Sequence, residues 1–164
     1  MPTVSKGERW IMPARKLKEF LENEGIRYVT ISHSTAYTAQ EVAECAHIPG
    51  KEMAKTVMIQ IDGDLAMAVL PANRKVVLQD LRDITGTDDV KFASEADFKA
   101  RFPDCEPGAM PPFGNLYDMD VYVAPSLVED EEIAFNAGTH TELVRIPYRD
   151  FERLVKPRVV SFST

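Results

Sequence analysis

Cysteine and histidine are scarce in this chain, and long apolar runs are missing. Each shortage removes a class of protein. Cys45 and Cys105 are the only cysteines, and neither has a second Cys or His at metal-ligand spacing. Two cysteines cannot build a disulfide framework; in a reducing compartment both are expected as thiols, with a Cys45–Cys105 bridge as the alternative. His33, His47 and His140 are the only histidines, so a histidine metal centre would need scattered ligands. No metal and no other cofactor is expected. The longest apolar runs, Thr56–Ile61 and Leu65–Leu70, fall far short of the roughly 20 residues that span a bilayer. No membrane partner is expected. Met1–Met12 has no apolar stretch of the signal-peptide kind, which makes the cytoplasm the expected location.

Positive charge is also short. The 26 acidic residues outnumber the 19 basic ones, for a net charge of -7. That argues against broad wrapping of a nucleic-acid backbone and against a DNA partner, because such affinity comes largely from phosphate neutralisation. A short single-stranded end, held by a few local cations, stays possible. The familiar motifs are absent too: no Gly-x-Ser-x-Gly elbow, His-Glu-x-x-His, P-loop or Gly-x-Gly-x-x-Gly.

What is present suits one packed domain over 1–164, with 45% hydrophobic and 27% charged residues. Leu17, Phe20 and Leu21 at helical spacing between Pro13 and Gly25 predict a first helix. Tyr28–Ile31 reads as a strand. Thr38 with Glu41 three residues on predicts a capping box and a short helix through Ala46. Thr56–Ile61 and Leu65–Leu70 flank Asp62-Gly63-Asp64 and predict a tight hairpin. A helix over Leu78, Leu81 and Ile84 ends at Gly86, followed by a strand at Val90–Phe92. Ser94 and Asp97 open another helix, running to about Phe102. Pro103–Asp118 is a long Pro- and Gly-rich loop, a feature that is uncommon in a compact domain and often functional. Strands follow at Val121–Ala124, Ile133–Ala137 and Leu143–Ile146, then a closing helix over Phe151, Leu154 and Val155. Without strict βαβ alternation, the order predicts a mixed α/β fold with a partly antiparallel sheet and helices around it.

Three places hold candidate chemistry. Lys55 sits at the start of an apolar strand, where a cation on the rim of a cleft can hold a phosphate as a point charge. From spacing alone, a solvated lysine at a strand end is the commoner reading. The loop Glu106–Gly114 combines glycines, which allow close ligand approach, with prolines, which pre-aim backbone groups. Its alternative is a stiff surface loop packed down by Phe113. In Phe135–His140, residues Asn136, Thr139 and His140 follow a strand end and could line a pocket, or could only satisfy turn hydrogen bonds. His33, at the end of the first strand, is a weaker candidate of the same kind.

Taken together, these segments resemble the YbaK and prolyl-tRNA-synthetase-associated family of aminoacyl-tRNA deacylases. The matching stretches are His33 with Thr38–Ala43, Ala54–Val57, Ala68–Ala72, Gly108–Gly114 and Ile133–Gly138. Gly108 and Pro112 carry the family's Gly-x-x-x-Pro motif. The resemblance covers roughly Leu17–Val155; the order and spacing of the stretches give it specificity. Phe135–Gly138 and the tail through Pro157 are most similar to the free-standing branch that edits serine- or threonine-type mischarging.

The resemblance implies a compact α/β fold with a curved, partly barrel-like sheet. It implies that Lys55 holds a phosphate of the tRNA, and that the Gly108–Pro112 loop positions the aminoacylated terminal adenosine. Met110, Pro111, Phe113 and Gly114 would help shape that site. Thr38, Asn136, Gly138, Thr139 and His140, with His33, would line the amino-acid pocket. Relatives use the substrate's own ribose hydroxyl and backbone groups to activate water. The expected partner is therefore the 3′ end of an aminoacyl-tRNA, with a synthetase or elongation factor as a candidate aid to binding. A non-catalytic binding module with the same pocket is the main alternative; a metal or thiol hydrolase is a distant third.

Overall fold

The computed structural model describes residues 15–164. Met1–Met12 and Pro13 lie outside the described residues, as does any test of what was expected of them. The elements, in chain order, are α1 (Arg15–Asn23), β1 (Val29–Ser32), α2 (Ala39–Cys45), β2 (Ala54–Ile61), β3 (Asp64–Pro71) and α3 (Leu78–Thr85). Then come β4 (Val90–Phe92), α4 (Glu95–Phe98), β5 (Asp120–Val123), α5 (Pro125–Val128), β6 (Glu132–Asn136), β7 (Glu142–Pro147), α6 (Tyr148–Val155) and β8 (Arg158–Val159). Single 3-10 turns stand at Lys99–Arg101 and Gly114–Leu116.

The strands form two sheets. One is three-stranded and antiparallel, in the order β1-β7-β6; the other is five-stranded and mixed, in the order β4-β2-β3-β5-β8. The curved barrel-like sheet expected from the resemblance is instead two open sheets. They meet at a parallel bridge between Met53 and Ala134, where Ala134 N–H donates to Glu52 O at 2.9 Å.

The β2–β3 hairpin is a two-residue turn. Ile61 pairs with Asp64, leaving Asp62 and Gly63 at the corner with φ of 51° and 85°. Two positive φ values match the right-handed twist of the flanking strands, which is why Asp-Gly suits this position. The unbroken apolar character of β3 has a simple cause. Met67 and Val69 enter the main core, whereas Ala66, Ala68 and Leu70 pack with Leu81 of α3 and Phe162. A strand covered on both faces has no polar side to show.

The main core lies between both sheets and the helices α1 and α6. Leu17 and Leu21 enter it from α1, Phe151 from α6, and Ile133 and Phe135 from β6. Phe113, from the long loop, is fully buried among Phe20, Phe135 and Phe151, with ring centroids 6.2, 5.5 and 5.6 Å away. A third cluster packs Val42 and Ala43 of α2 on Met53, Ala134 and Leu143. That contact positions the start of α2 over the junction of the two sheets.

Among the described residues, no helix is long and apolar enough to cross a membrane. No bridge joins Cys45 to Cys105. Elements not foreseen from sequence are α5 and β8. The helix expected to reach Phe102 stops at Phe98 and finishes as a 3-10 turn.

Candidate functional site

Lys55 is the second residue of β2, in register with Leu70 of β3. Its side chain is half-buried, and Nζ donates to Ala72 O at 3.4 Å. That long contact leaves most of its hydrogen-bonding capacity unused. Burial, and then the charge of Lys75, push the Lys55 ammonium below its ordinary pKa. Both effects say that the charged form lacks compensation here.

The cleft around it has a volume of about 200 Å³ and is lined by Thr38, Ala39, Gln40, Lys55, Ala72, Asn73, Arg74 and Lys75. Three of these residues are cations and none is acidic, in a chain whose net charge is -7. Thr38 reaches it as the N-cap of α2: Oγ1 accepts from Glu41 N–H at 3.1 Å and donates to Glu41 Oε1 at 2.9 Å. The expected capping box is thus present in modified form, with the Glu41 carboxylate on the Thr38 hydroxyl. Arg74 is tied down by the C-terminal segment, donating to Ser163 Oγ at 3.0 Å and to Ser163 O at 3.2 Å. Mutual hydrogen bonds between Lys75 and Thr164 (2.9 Å each way), and Val77 N–H donating to Phe162 O (2.7 Å), complete this short ladder.

Asn136 ends β6. It lies two residues beyond Ala134, and Lys55 two residues beyond Met53, the pair whose bridge joins the two sheets. Asn136 is 8% exposed, and its Oδ1 is buried without a hydrogen-bond partner. Buried polar atoms are nearly always paired, so this amide oxygen has acceptor capacity to spare.

The Gly108 loop is stitched to the segment after β6. Glu106 N–H donates to Gly138 O at 2.7 Å, and Gly138 N–H donates to Ala109 O at 2.9 Å. His140 is 8% exposed, and its Nε2 donates to Pro107 O at 3.0 Å. The carbonyl can only accept, so Nε2 carries the hydrogen. The Nδ1 on the other side of the ring is buried without a partner. Gly108 has φ +87, and a Cβ there would meet His140 Cε1 at 3.5 Å. Its N–H donates to Met110 Sδ at 3.1 Å, a weak acceptor that a better one can replace.

Of the sequence candidates, Thr38 lines the cleft with Lys55, whereas Gly108, Met110, Asn136, Gly138 and His140 do not line it. Phe113 is 0% exposed and belongs to the core; it anchors the loop from beneath. Gly114 is required by packing, since a Cβ would lie 2.5 Å from Met119 O. Pro111 and Pro112 are buried, whereas Glu106, Pro107 and Gly108 are exposed, so the loop is a strap packed inward over its second half and open to solvent over its first. Thr139 Oγ1 lies 3.2 Å from Thr141 Oγ1 and accepts from Thr141 N–H at 3.3 Å, the turn role. His33 sits at the end of β1, its backbone N–H donating to Thr141 O at 2.9 Å and its Nδ1 to Ser34 O at 2.7 Å. Missed from sequence were Gln40 and Asn73 as lining of the Lys55 cleft. Their link to Lys55 depends on how β3 returns, which spacing does not reveal.

A second, larger hollow of about 390 Å³ lies between α5, β6 and α6. It is lined by Val128, Asp130, Glu131, Glu132, Pro147, Tyr148, Arg149 and Glu152. Burial first, and then the charge of Glu52, push the Asp130 carboxyl up to about 6.

The family model for the "Aminoacyl-tRNA editing domain" matches residues 33–154. A curated protein of Escherichia coli K12, "Multifunctional Ser/Thr-tRNA deacylase ProXp-y", is 27% identical over 167 residues, covering 99% of this chain and 98% of that protein. A "Proline--tRNA ligase" of Staphylococcus epidermidis is 30% identical over 86 residues, 52% of this chain but only 14% of the ligase. A solved structure of a protein proposed as a trans-editing enzyme for prolyl tRNA synthetase superposes with a TM-score of 0.79 at 18% identity, covering 99% of both chains. That likeness establishes a shared fold.

Proposed function

The chain belongs to the aminoacyl-tRNA editing domain family, and on that premise we propose that it hydrolyses the ester of mischarged aminoacyl-tRNA in trans. The observation that carries the reading is the Lys55 cleft: three cations, no carboxylate, and an underused ammonium. A phosphate of the tRNA 3′ end supplies the missing negative charge, and binding it offsets the cost of keeping Lys55 ionised. Asn136 Oδ1, buried and unpaired, accepts a hydrogen bond from the substrate's α-ammonium or side-chain donor. The Gly108 strap, fixed by His140 and by Phe113 below it, presents backbone groups to the terminal adenosine.

An aminoacyl ester is already reactive, so a protein that holds it still and stabilises the developing oxyanion has little covalent chemistry left to do. The ribose hydroxyl next to the ester lies on the substrate itself and can orient the attacking water. Serine and threonine are the amino acids favoured by similarity to the Escherichia coli deacylase. A synthetase or an elongation factor is the candidate protein partner, and similarity to part of a proline--tRNA ligase supports the former.

The test is hydrolysis of tRNAs for proline, threonine, isoleucine, valine and alanine carrying Ala, Cys, Ser or Thr. Lys55-dependent release from one or more of them establishes the activity and names the substrate. No release above the uncatalysed rate would leave the pocket as a binding module for an aminoacyl-nucleotide.

A further inference from the structure

Tyr37 is out of keeping with the surface around it. Its side chain is 70% exposed, the most of any large apolar residue among those described. Leaving an aromatic ring in water forgoes the stabilisation that burial would give, yet its backbone is pinned on both sides. Ala36 N–H donates to His140 O at 3.2 Å, and Thr38 caps α2. One part of the Tyr37 ring rests on His140, with centroids 4.9 Å apart and planes tilted by 52°. The rest faces water.

Its position gives the exposure a meaning. Thr38, the next residue, lines the Lys55 cleft, and His140, beneath the ring, holds Pro107 of the Gly108 strap. Tyr37 therefore stands on the rim between the cation cleft and the strap. We propose that Tyr37 is a stacking platform for an unpaired nucleobase of the substrate's single-stranded 3′ end. This rests on the deacylase reading and adds to it a base-binding subsite. Stacking is tolerant of sequence because every base has a π-face. It also needs no phosphate neutralisation, so an acidic protein can hold a short RNA end with few cations.

The experiment measures binding of a short single-stranded RNA ending in CCA, by fluorescence anisotropy, to wild type, Tyr37→Ala, Tyr37→Phe and Tyr37→Trp. The same RNA with an abasic site at each of its last three positions completes a set of double-mutant cycles. Tyr37→Ala should bind the intact RNA roughly 5- to 100-fold more weakly, with Phe and Trp restoring affinity. One abasic RNA should bind wild type and Tyr37→Ala equally. The KM for mischarged tRNA should rise by a similar factor with kcat little changed. Two results would overturn the proposal: Tyr37→Ala binding every RNA as wild type does, or losing the same factor on every abasic RNA, which would mark a merely structural role. If wild type hydrolyses mischarged tRNA and Tyr37→Ala is indistinguishable from it, the stacking role alone is lost. If wild type hydrolyses none while the base-dependent loss persists, the deacylase reading is lost and the platform stands.

Discussion

Two hollows among the described residues invite opposite conclusions if judged by size or by charge. The larger, at about 390 Å³, is lined by four carboxylates against the single guanidinium of Arg149. The smaller, at about 200 Å³, has three cations and no carboxylate. A polyanionic RNA end is repelled by the first and attracted by the second. For this chemistry, local charge is therefore a better guide than volume, even in a chain that is acidic overall.

The sharpest way to break that contrast is to neutralise each hollow in turn. Lys55→Ala should lower deacylation roughly 100- to 1,000-fold, the scale of one lost charge-stabilising donor, with little change in Tm. Glu152→Gln, in the larger hollow, should leave turnover as it is. Equal losses in the two variants, measured on one mischarged tRNA, would end the distinction.

Next in size is Gly108→Val. A β-branched residue at φ +87 is strained, and a shifted strap misplaces the ester. A displacement of about an ångström is worth on the order of 100-fold in rate. Normal kinetics in this variant would remove the strap from the site.

Asn136→Ala separates function from stability. It should lower kcat/KM about tenfold, one hydrogen bond's worth, while Tm holds or rises because a buried orphan acceptor disappears. A large loss of Tm would show that the amide serves the fold.

The smallest effect belongs to the acidic hollow. Asp130 binds its proton more tightly folded than unfolded, at about 6 against an ordinary 3.8. The unfolded state thus loses the proton first, and folding stability falls as pH rises from about 4 to 6. Asp130→Asn should be more thermostable than wild type at pH 7 and show little advantage at pH 4. Melting curves at the two pH values decide it.

Much of this was legible in the sequence. Local signals placed the Asp62-Gly63 turn, the Gly86 helix end and the Ser94 cap, because each depends on a few neighbouring residues. Lys55, Asn136 and the Gly108 loop stood out by residue type and by family resemblance. The rest depends on contacts between distant segments. Phe113 read either as shaping the site or as packing the loop down, and the choice between them needed three elements that meet only in the folded chain. His140 read as a pocket residue, and its bond to Pro107 O required knowing that the two loops lie side by side. Strand β8 is two residues long, and the ladder that follows it has no periodicity to detect. The junction of the two sheets is one bridge, Met53 with Ala134, that leaves no mark in either segment.

That late ladder has a kinetic consequence. Lys55 rides on a hairpin closed by two residues, the kind of local structure that forms within microseconds. Arg74 and Lys75 are fastened by Ser163 and Thr164, with 89 positions separating Arg74 from Ser163. Contacts of such separation carry a high loop-closure cost and tend to form late. The Lys55 cleft therefore has an early wall and a late wall, and a chain with a complete β2–β3 hairpin but an undocked C-terminal segment would still lack the wall that Arg74 and Lys75 form.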